Sequence, residues 1–461
     1  MKKVIAIALA GAVGLTGLIC TNFISDDRPV LKVANWAEYI DPGDEETLGL
    51  VEEFEIWYEE QTGKKIRVEY CTADDNEILY NMLKMGDHFD LICPSEYMLM
   101  KLAAEDRLQK LPQSFYDTNI ETNYYAKNVS PYIESVFENG KLNDGSSWSE
   151  YAAGYMWGTT GFVYNPTIVN EDDVKTWNVF TNTSPTIAKQ ITAKNNIRDS
   201  YFTGLAMHYE EELRALRAQY EAGTLPYAEY QARLSQMMND TSPETMNAVK
   251  QKMMAMTDNL YGFETDEGKN DTIAGKITVN YQWSGDAVYI MDSAEYGDEE
   301  TEITDPLLLN YCIPETVSNL WFDGWALTKG CKDVDAATMF INFLSMPENA
   351  VRNMQYIGYT SCIGSETVFT DFVLDYYEAE EDDDTAVPYD LNYYFNPSYI
   401  RGDSSTISED YIFYAPADQL KRQLFAQYPD ENTLSHCVTM QYFDADANSR
   451  ANSMWSDITF F

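Results

Sequence analysis

The segments LKVANW (31–36), KIRVEY (65–70) and FDLIC (89–93) each have the pattern of a β-strand, and Pro94 ends the third. Two helical patterns separate them: apolar residues recur at helical spacing over 50–62 before Gly63, and a second helix is predicted over 76–85. This strand-helix-strand-helix-strand order predicts a mostly parallel sheet with helices on its faces.

Ligands of such sheets bind beyond the carboxyl ends of the strands. Trp36 ends the first predicted strand, and Pro94-Ser95 follows the third. We therefore expect these residues to lie at a binding site.

Size and charge restrict the possible partners. The chain has 461 residues with 45% hydrophobic content, which favours two domains. Its 31 Lys+Arg and 75 Asp+Glu give a formal net charge of -44, which repels nucleic acid and anionic lipid and attracts cations. Nucleic acid is not expected as a partner. A charge of this kind also fits a surface selected for solubility, so it names no ligand by itself.

The N-terminus resembles an export signal. Lys2 and Lys3 precede an apolar stretch over 4–19, so 1–20 is assigned to an export segment and the protein is expected outside the cytoplasm. Cys20 ends a Gly-Leu-Ile-Cys sequence similar to a lipoprotein processing site, although Ile19 stands where a small residue is usual. Lipidation of Cys20 would give a cell-surface anchor, and the alternatives are a periplasmic protein or an uncleaved signal anchor.

Metal and thiol chemistry have little support in the sequence. The remaining cysteines occur singly and only 3 histidines are present, so no metal site, cofactor or Cys-His catalytic site is expected. The cysteines are instead expected to be small buried apolar residues. They are Cys71, Cys93, Cys312, Cys331, Cys362 and Cys437.

Later parts of the chain also carry helix signals. Ser242-Pro243 starts one predicted helix, and apolar residues over 336–344 mark another, capped near Asp333 or Asp335. Two charged helical stretches over 209–236, broken at 222–226, predict a surface helical hairpin inserted into the second domain. The acidic run 378–384 is expected to be a solvated loop.

Aromatic residues stand beside carboxylates in several places. Aromatic residues make up 14% of the chain, and the motifs include NWAEY (35–39), PSEY (94–97), WSGD (283–286) and WFD (321–323). A small organic polycation needs carboxylates for its ammonium groups and aromatic faces for its methylenes. These motifs therefore favour a site for such a ligand.

In their order along the chain, these motifs resemble the spermidine/putrescine-binding proteins of polyamine ABC importers, a family of extracellular solute-binding proteins. The resemblance covers most of 31–363 and includes YMWGTTG (155–161), INFL (341–344) and IGY (357–359). It implies a periplasmic-binding-protein-like type II α/β fold, with two lobes of discontinuous segments joined by hinge crossovers. The implied boundaries are 30–158 plus 323–365 for lobe 1 and 159–322 plus 366–461 for lobe 2, with the hairpin in lobe 2.

The resemblance also implies a ligand site. The family has two acidic contacts at the positions of Asn196 and Asp199, so Asn196 lacks one charge, for which Asp286 is the candidate to compensate. Ala37 replaces a hydroxyl residue. Near the C-terminus, Gln441, Tyr442 and Asp444 compete for one further polar contact. The implied site residues are Trp36, Tyr39, Ser95, Tyr97, Asn196, Asp199, Trp283, Asp286, Trp321, Asp323 and Tyr359.

The function implied is capture of a polyamine, putrescine or spermidine, between the lobes and its delivery to the permease subunits of an ABC importer. The protein is then a monomer, not an enzyme, and touches the membrane only through a possible lipid anchor. Three alternatives stay open. They are a binding protein of the same fold for an amino acid, sugar, thiamine or metal complex; a glycoside hydrolase with a carboxylate pair; and a sensor or adhesion protein without transport.

Overall fold

The computed structural model describes residues 26–265, 267–297 and 306–459. The predicted export segment 1–20 and its lipidation candidate Cys20 lie outside the described residues. Within those ranges, no helix has the length and apolar character needed to cross a membrane.

Strands are distributed along the whole described chain. They are β1 (Val30–Trp36), β2 (Arg67–Ala73), β3 (Leu91–Ile92), β4 (Ala152–Tyr164), β5 (Ile191–Lys194), β6 (Gly262–Glu264), β7 (Val279–Trp283), β8 (Asn310–Cys312), β9 (Ser318–Leu327), β10 (Thr360–Ser361), β11 (Val387–Asp390), β12 (Ile412–Ala415) and β13 (Cys437–Val438).

Helices alternate with these strands. They are α1 (Leu50–Thr62), α2 (Asn76–Met85), α3 (Glu96–Ala104), α4 (Tyr124–Asn128), α5 (Pro131–Asn139), α6 (Glu171–Val174), α7 (Ile197–Glu221), α8 (Tyr227–Met238), α9 (Pro243–Thr257), α10 (Glu267–Ile273), α11 (Ser284–Tyr296), α12 (Val334–Leu344), α13 (Pro347–Ile357), α14 (Glu366–Val368), α15 (Asp375–Tyr377), α16 (Asn392–Phe395), α17 (Gln423–Gln427), α18 (Glu431–Leu434) and α19 (Ala445–Thr459).

The main sheet has two parallel ends joined by long antiparallel strands. Its order is β2-β1-β3-β9-β4-β7-β5-β6. Strand β1 is parallel to β2 and β3, and β5 is parallel to β6 and β7. Between these ends, β9 pairs antiparallel with both β3 and β4. The predicted α/β class with parallel strands is confirmed, and the two parallel ends are the sheets of two lobes.

Strand β4 passes from one lobe to the other. It pairs with β9 as far as Thr159 and with β7 from Thr160 onward. The sequence placed the first crossover at 157–161, which contains this change of partner. The full lobe boundaries remain a prediction.

Local signals in the sequence explain the first helices. Asp75 Oδ1 accepts a hydrogen bond from the Ile78 N–H at 2.6 Å and caps α2. Gly63 (φ +69°) and Gly86 (φ +102°) end α1 and α2 in the left-handed conformation that glycine adopts without steric cost. The predicted bounds of both helices are confirmed.

Two later helices also begin as predicted. Ser242 caps α9, with Pro243 in its first turn, and Asp333, rather than Asp335, caps α12. Of the cysteines, Cys93, Cys331, Cys362 and Cys437 are buried, as expected, whereas Cys71 and Cys312 are half-buried.

The helical hairpin differs from the prediction. Its break at 222–226 is confirmed, but its first helix is part of α7, which starts at Ile197 and runs on without interruption to Glu221. Leu213 and Leu216 on α7, and Tyr230 and Leu234 on α8, are buried. The hairpin is therefore packed against the protein along one face, and its assignment as an insertion into the second lobe remains a prediction.

Candidate functional site

A cavity of about 460 Å³ opens beyond the carboxyl ends of strands from both lobes. This size lies within the range that is typical of small-molecule sites. Every residue that the resemblance assigns to the site lines this cavity: Trp36, Tyr39, Ser95, Tyr97, Asn196, Asp199, Trp283, Asp286, Trp321, Asp323 and Tyr359.

The secondary structure explains this convergence. Trp36 is the last residue of β1, and Ser95 follows β3 and precedes α3. Asn196 follows β5 and caps α7, and Trp283 ends β7 and immediately precedes α11. Within each lobe, parallel strands present their carboxyl ends at one edge, β1 and β3 in the first lobe and β5 and β7 in the second. The two sets run in opposite directions, and their carboxyl ends meet at the cavity between the lobes.

Strand β9 supplies one wall of the cavity. Asn319, Trp321 and Asp323 line it at alternate positions along this strand. Successive strand residues point to opposite faces of a sheet, so a period of two places all three on the cavity side. Trp321 and Asp323 were predicted from their motif, and Asn319 was not.

Asp323 is the most heavily hydrogen-bonded carboxylate of the predicted site. Its Oδ1 accepts from Ser95 Oγ at 2.7 Å, and its Oδ2 accepts from Tyr39 Oη at 2.8 Å and from Trp36 Nε1 at 3.2 Å. Burial raises the pKa of Asp323 to about 6, and the three hydrogen bonds oppose that rise. Asp323 thus fixes Trp36, Tyr39 and Ser95 in place and is ionised at neutral pH.

The Asn196 side chain forms two hydrogen bonds with Asp199. Its Oδ1 accepts from the Asp199 backbone N–H at 2.8 Å, and its Nδ2 donates to Asp199 Oδ2 at 2.6 Å. Burial raises the pKa of Asp199, and the Asn196 amide counteracts that effect. The amide therefore stabilises the charge of its neighbour at the position where the family has a second acid.

Two lysines contact side chains that were expected to bind the ligand. Lys269 Nζ lies 2.9 Å from Asp286 Oδ1, and both residues line the cavity. Lys194 Nζ lies 3.8 Å from the centroid of the Trp283 ring and also donates to Gln282. One face of Trp283 is therefore covered by a protein cation. Neither lysine belongs to a predicted motif, so neither was expected at the site.

Three aromatic rings form a packed group in the cavity wall. Tyr359 lies 5.6 Å from Tyr39 and 5.3 Å from Trp321 between ring centroids, in edge-to-face contact. Two glycines make room for the Trp321 and Tyr359 rings. A Cβ on Gly158 would lie 2.7 Å from Trp321 Cζ2, and a Cβ on Gly285 would overlap the Tyr359 ring. The glycines of the predicted 155–161 and 283–286 motifs thus allow the rings to approach the backbone.

Further acidic side chains line the cavity beyond the predicted ones. They include Glu38, Asp74, Asp75, Glu77 and Glu96. Tyr97 Oη donates to both Glu77 carboxylate oxygens at 3.2 Å. Burial raises the pKa of Glu96 to about 8. Against these acids the lining contains the cations Arg198 and Lys269, so acidic groups predominate.

The C-terminal segment reaches the cavity through a residue that was not predicted. Met440 lines it. Gln441 lines a separate groove beside α7 and α8, Tyr442 accepts a hydrogen bond from Asn143, and Asp444 accepts one from the Ala447 backbone N–H. None of these three residues lines the cavity, and the ligand contact expected from one of them remains a prediction.

A known protein family matches most of the chain. A family model described as bacterial extracellular solute-binding protein matches residues 50–367. The chain belongs to this family. The match covers more than half of the chain and contains the strands from β2 to β10.

Curated relatives of this solute-binding protein carry polyamine names. It is 24% identical over 353 residues to the spermidine/putrescine-binding periplasmic protein of Salmonella typhimurium, covering 76% of this chain and 81% of the relative. It is 27% identical over 349 residues to the putrescine-binding periplasmic protein SpuD of Pseudomonas aeruginosa, covering 75% and 80% respectively.

Solved structures show the same fold. The substrate-binding protein PotD of a spermidine/putrescine ABC transporter from Streptococcus pneumoniae superposes with a TM-score of 0.58 and 24% identity, covering 94% of this chain and 99% of that chain. The TpPotD lipoprotein of Treponema pallidum gives a TM-score of 0.57 and 16% identity, covering 94% and 100%. The predicted two-lobed solute-binding fold is thus confirmed, and its family is extracellular, as expected.

Proposed function

We propose that this solute-binding protein captures a small aliphatic polyamine, putrescine or spermidine, in the cavity between its lobes and delivers it to the permease subunits of an ABC importer. The observation that carries the proposal is the meeting of buried Asp199 and Asp323 with a set of aromatic rings in one predominantly acidic cavity. The names of the relatives support the same ligand class.

The two lobes contribute different carboxylates. Asp323 is held by Trp36, Tyr39 and Ser95 of the first lobe, whereas Asp199 lies in the first turn of α7 in the second. A cation that bridges both carboxylates binds the closed arrangement of the lobes better than an open one, so it shifts the population toward closure. The proposed lobes are 30–158 plus 323–365 and 159–322 plus 366–461.

The proposed activity consists of ligand binding and release, without chemical turnover. The protein acts as an exported monomer, and a lipid on Cys20 holds it at the membrane. Family membership supports a transport role over the glycoside hydrolase alternative. A different solute is the second candidate, because Lys269 on Asp286 and Asn196 in place of an acid both reduce the number of ligand ammonium groups that the site can pair.

Isothermal titration calorimetry tests the proposal. Putrescine, spermidine, cadaverine and spermine are titrated into the protein beside an amino acid, a sugar and thiamine. At least one polyamine should bind in the micromolar range or tighter, and Asp199→Asn or Asp323→Asn should weaken it. Asp172→Asn, at an exposed site remote from the cavity lining, is the matched control. Binding of another solute with no response to any polyamine would contradict the proposal.

A further inference from the structure

A second group of buried polar side chains lines the cavity. Arg198, Glu96 and Asn319 are 5%, 2% and 1% exposed. Among the described residues, no hydrogen-bond partner exists for Arg198 Nε and Nη2, for Glu96 Oε1 or for either side-chain polar atom of Asn319. Buried polar atoms in folded proteins are nearly always paired, so unpaired atoms on three residues of one cavity indicate a ligand that pairs them.

Contacts with common neighbours place this group along one side of the cavity. Glu96 Oε2 accepts the Phe322 N–H of β9 at 3.1 Å, and the Arg198 guanidinium lies 5.6 Å from the ring of Tyr97, next to Glu96. Asn319, also on β9, is in register with Val438 of β13. The wall therefore consists of the first turns of α3 and α7 together with β9, and Met440 beyond β13 lines the same cavity.

The unpaired atoms are mostly hydrogen-bond donors. Arg198 Nε and Nη2 can only donate, and Asn319 contributes an NH2 group beside its single carbonyl oxygen. Because burial raises the pKa of Glu96 to about 8, its carboxyl is mostly protonated at neutral pH and can also donate. A donor-rich wall suits an oxygen acceptor and opposes an ammonium group.

The charge of Arg198 is already opposed by protein groups. Asp199 and Glu77 lie close enough to act on its guanidinium electrostatically. A further anion at this wall would meet repulsion from these acids, whereas a neutral carbonyl oxygen would not. The acceptor that fits best is therefore uncharged.

The position of this wall relative to Asp323 sets the shape of the ligand. Asn319 and Asp323 are four residues apart on β9, which corresponds to about 13 Å along the strand. A chain of several methylenes can span such a cavity, with an ammonium group at one end and an oxygen at the other. Lys269 already occupies Asp286, which reduces the sites available for a second ammonium.

We propose that Arg198, Glu96 and Asn319 form a subsite for a neutral acyl oxygen, so that the preferred ligand is a polyamine acylated on one terminal nitrogen. Its free ammonium binds at Asp199 and Asp323, and its amide oxygen accepts hydrogen bonds at the subsite. This inference rests on the proposed function, because it requires the cavity to capture an amine.

Calorimetry at pH 7 with putrescine, N-acetylputrescine and 4-aminobutyrate tests the subsite. N-acetylputrescine should bind at least about 10-fold more tightly than the other two. Arg198→Met and Asn319→Leu should each lower the affinity for N-acetylputrescine and leave that for putrescine equal or higher. Thermal melts establish that each variant is folded. If Arg198→Met does not fold, the ligand preference of the wild type and the affinities of Asn319→Leu still test the subsite.

If putrescine binds as tightly as N-acetylputrescine or more tightly, the subsite is overturned and the proposed function stands. The same conclusion follows if the variants weaken the binding of both amines equally. Tighter binding of 4-aminobutyrate would also overturn it, since the subsite would then recognise a carboxylate. Absence of binding by both amines and by spermidine would contradict the proposed function as well.

Discussion

Lys269 Nζ is paired with Asp286 Oδ1 at 2.9 Å, and the pair forms part of the wall of the ligand cavity. The lysine belongs to α10 and the aspartate to the first turn of α11, so the second lobe supplies both partners. A ligand ammonium at Asp286 must compete with a cation that is tethered to the protein. Lys269 is therefore expected to limit the number of ligand charges that the site accepts.

Replacing Lys269 should favour ligands with more charges. In Lys269→Met, Asp286 loses a cationic partner, and the affinity for putrescine or spermidine should rise about 10-fold, as for one additional charged hydrogen bond. Calorimetry measures the change. Lys276→Met is the matched control, because Lys276 pairs with Asp271 and is absent from the cavity lining. An unchanged or weaker affinity in Lys269→Met would show that Lys269 does not compete with the ligand.

Ligand affinity should depend on the ionisation of Asp323. Burial raises its pKa from 3.8 to about 6, and an ammonium group binds the ionised form, so affinity should increase as the pH rises from about 5 to about 7. Below the pKa the increase should approach about 10-fold for each pH unit, with release of one proton on binding. Titrations in buffers of different ionisation enthalpy count that proton.

The ionisation of Asp323 affects the stability of the ligand-free protein in the opposite direction to its effect on affinity. Its folded pKa exceeds the unfolded value, so the contribution of Asp323 to the free energy of unfolding is present below about pH 4 and decreases as the pH rises to about 6. Asp323→Asn should weaken both pH dependences by removing the part that belongs to Asp323, whereas Asp172→Asn should retain them in full. A pH-independent affinity in the wild type would contradict the role of Asp323.

Trp321 should contribute to affinity through its ring. The side chain is buried beside Tyr359, and its Nε1 donates to the Thr159 carbonyl oxygen at 3.3 Å, which fixes the orientation of the indole. Trp321→Leu keeps an apolar group but removes the aromatic face, so the affinity for a polyamine should fall about 10-fold. Trp455→Leu, whose ring packs on Phe263 and does not line the cavity, should leave affinity unchanged. Equal affinities in the two variants would exclude a ligand contact by Trp321.

Gly285 should be intolerant of a methyl group. An added Cβ would overlap the Tyr359 ring, so Gly285→Ala should displace that ring, lower the free energy of unfolding by about 1–3 kcal/mol and weaken ligand binding. Urea unfolding and calorimetry measure the two effects. In Gly262→Ala the Cβ would meet nothing within 4 Å, so little change is expected. Similar stabilities for both variants would contradict the packing around Tyr359.

Sequence patterns predicted the site well where strand ends decide the geometry. Trp36 ends β1 and Ser95 follows β3, so the parallel pairing of these strands brings them to one edge of the first lobe, and Trp283 ends β7 on the facing edge of the second lobe. The period of two on β9 could also have identified Asn319 from Trp321 and Asp323, since all three lie on one face of the strand.

Other residues of the cavity could not be predicted, because their roles depend on contacts between distant segments. Lys269 reaches Asp286 across two packed helices, and Arg198 is identified only by its burial and its unpaired guanidinium nitrogens. The start of the first hairpin helix at Ile197 was missed for a related reason. Its charged sequence concealed the buried Leu213 and Leu216, which continue the packing of α7 beyond the cavity.

A crystal structure of the protein with bound putrescine or spermidine tests the central claim most directly. We expect a ligand nitrogen at about 2.7–3.0 Å from a carboxylate oxygen of Asp323 or Asp199, and methylenes in contact with the Trp321 ring. A ligand bound outside this cavity, or a cavity ligand without a carboxylate contact from either aspartate, would contradict the account.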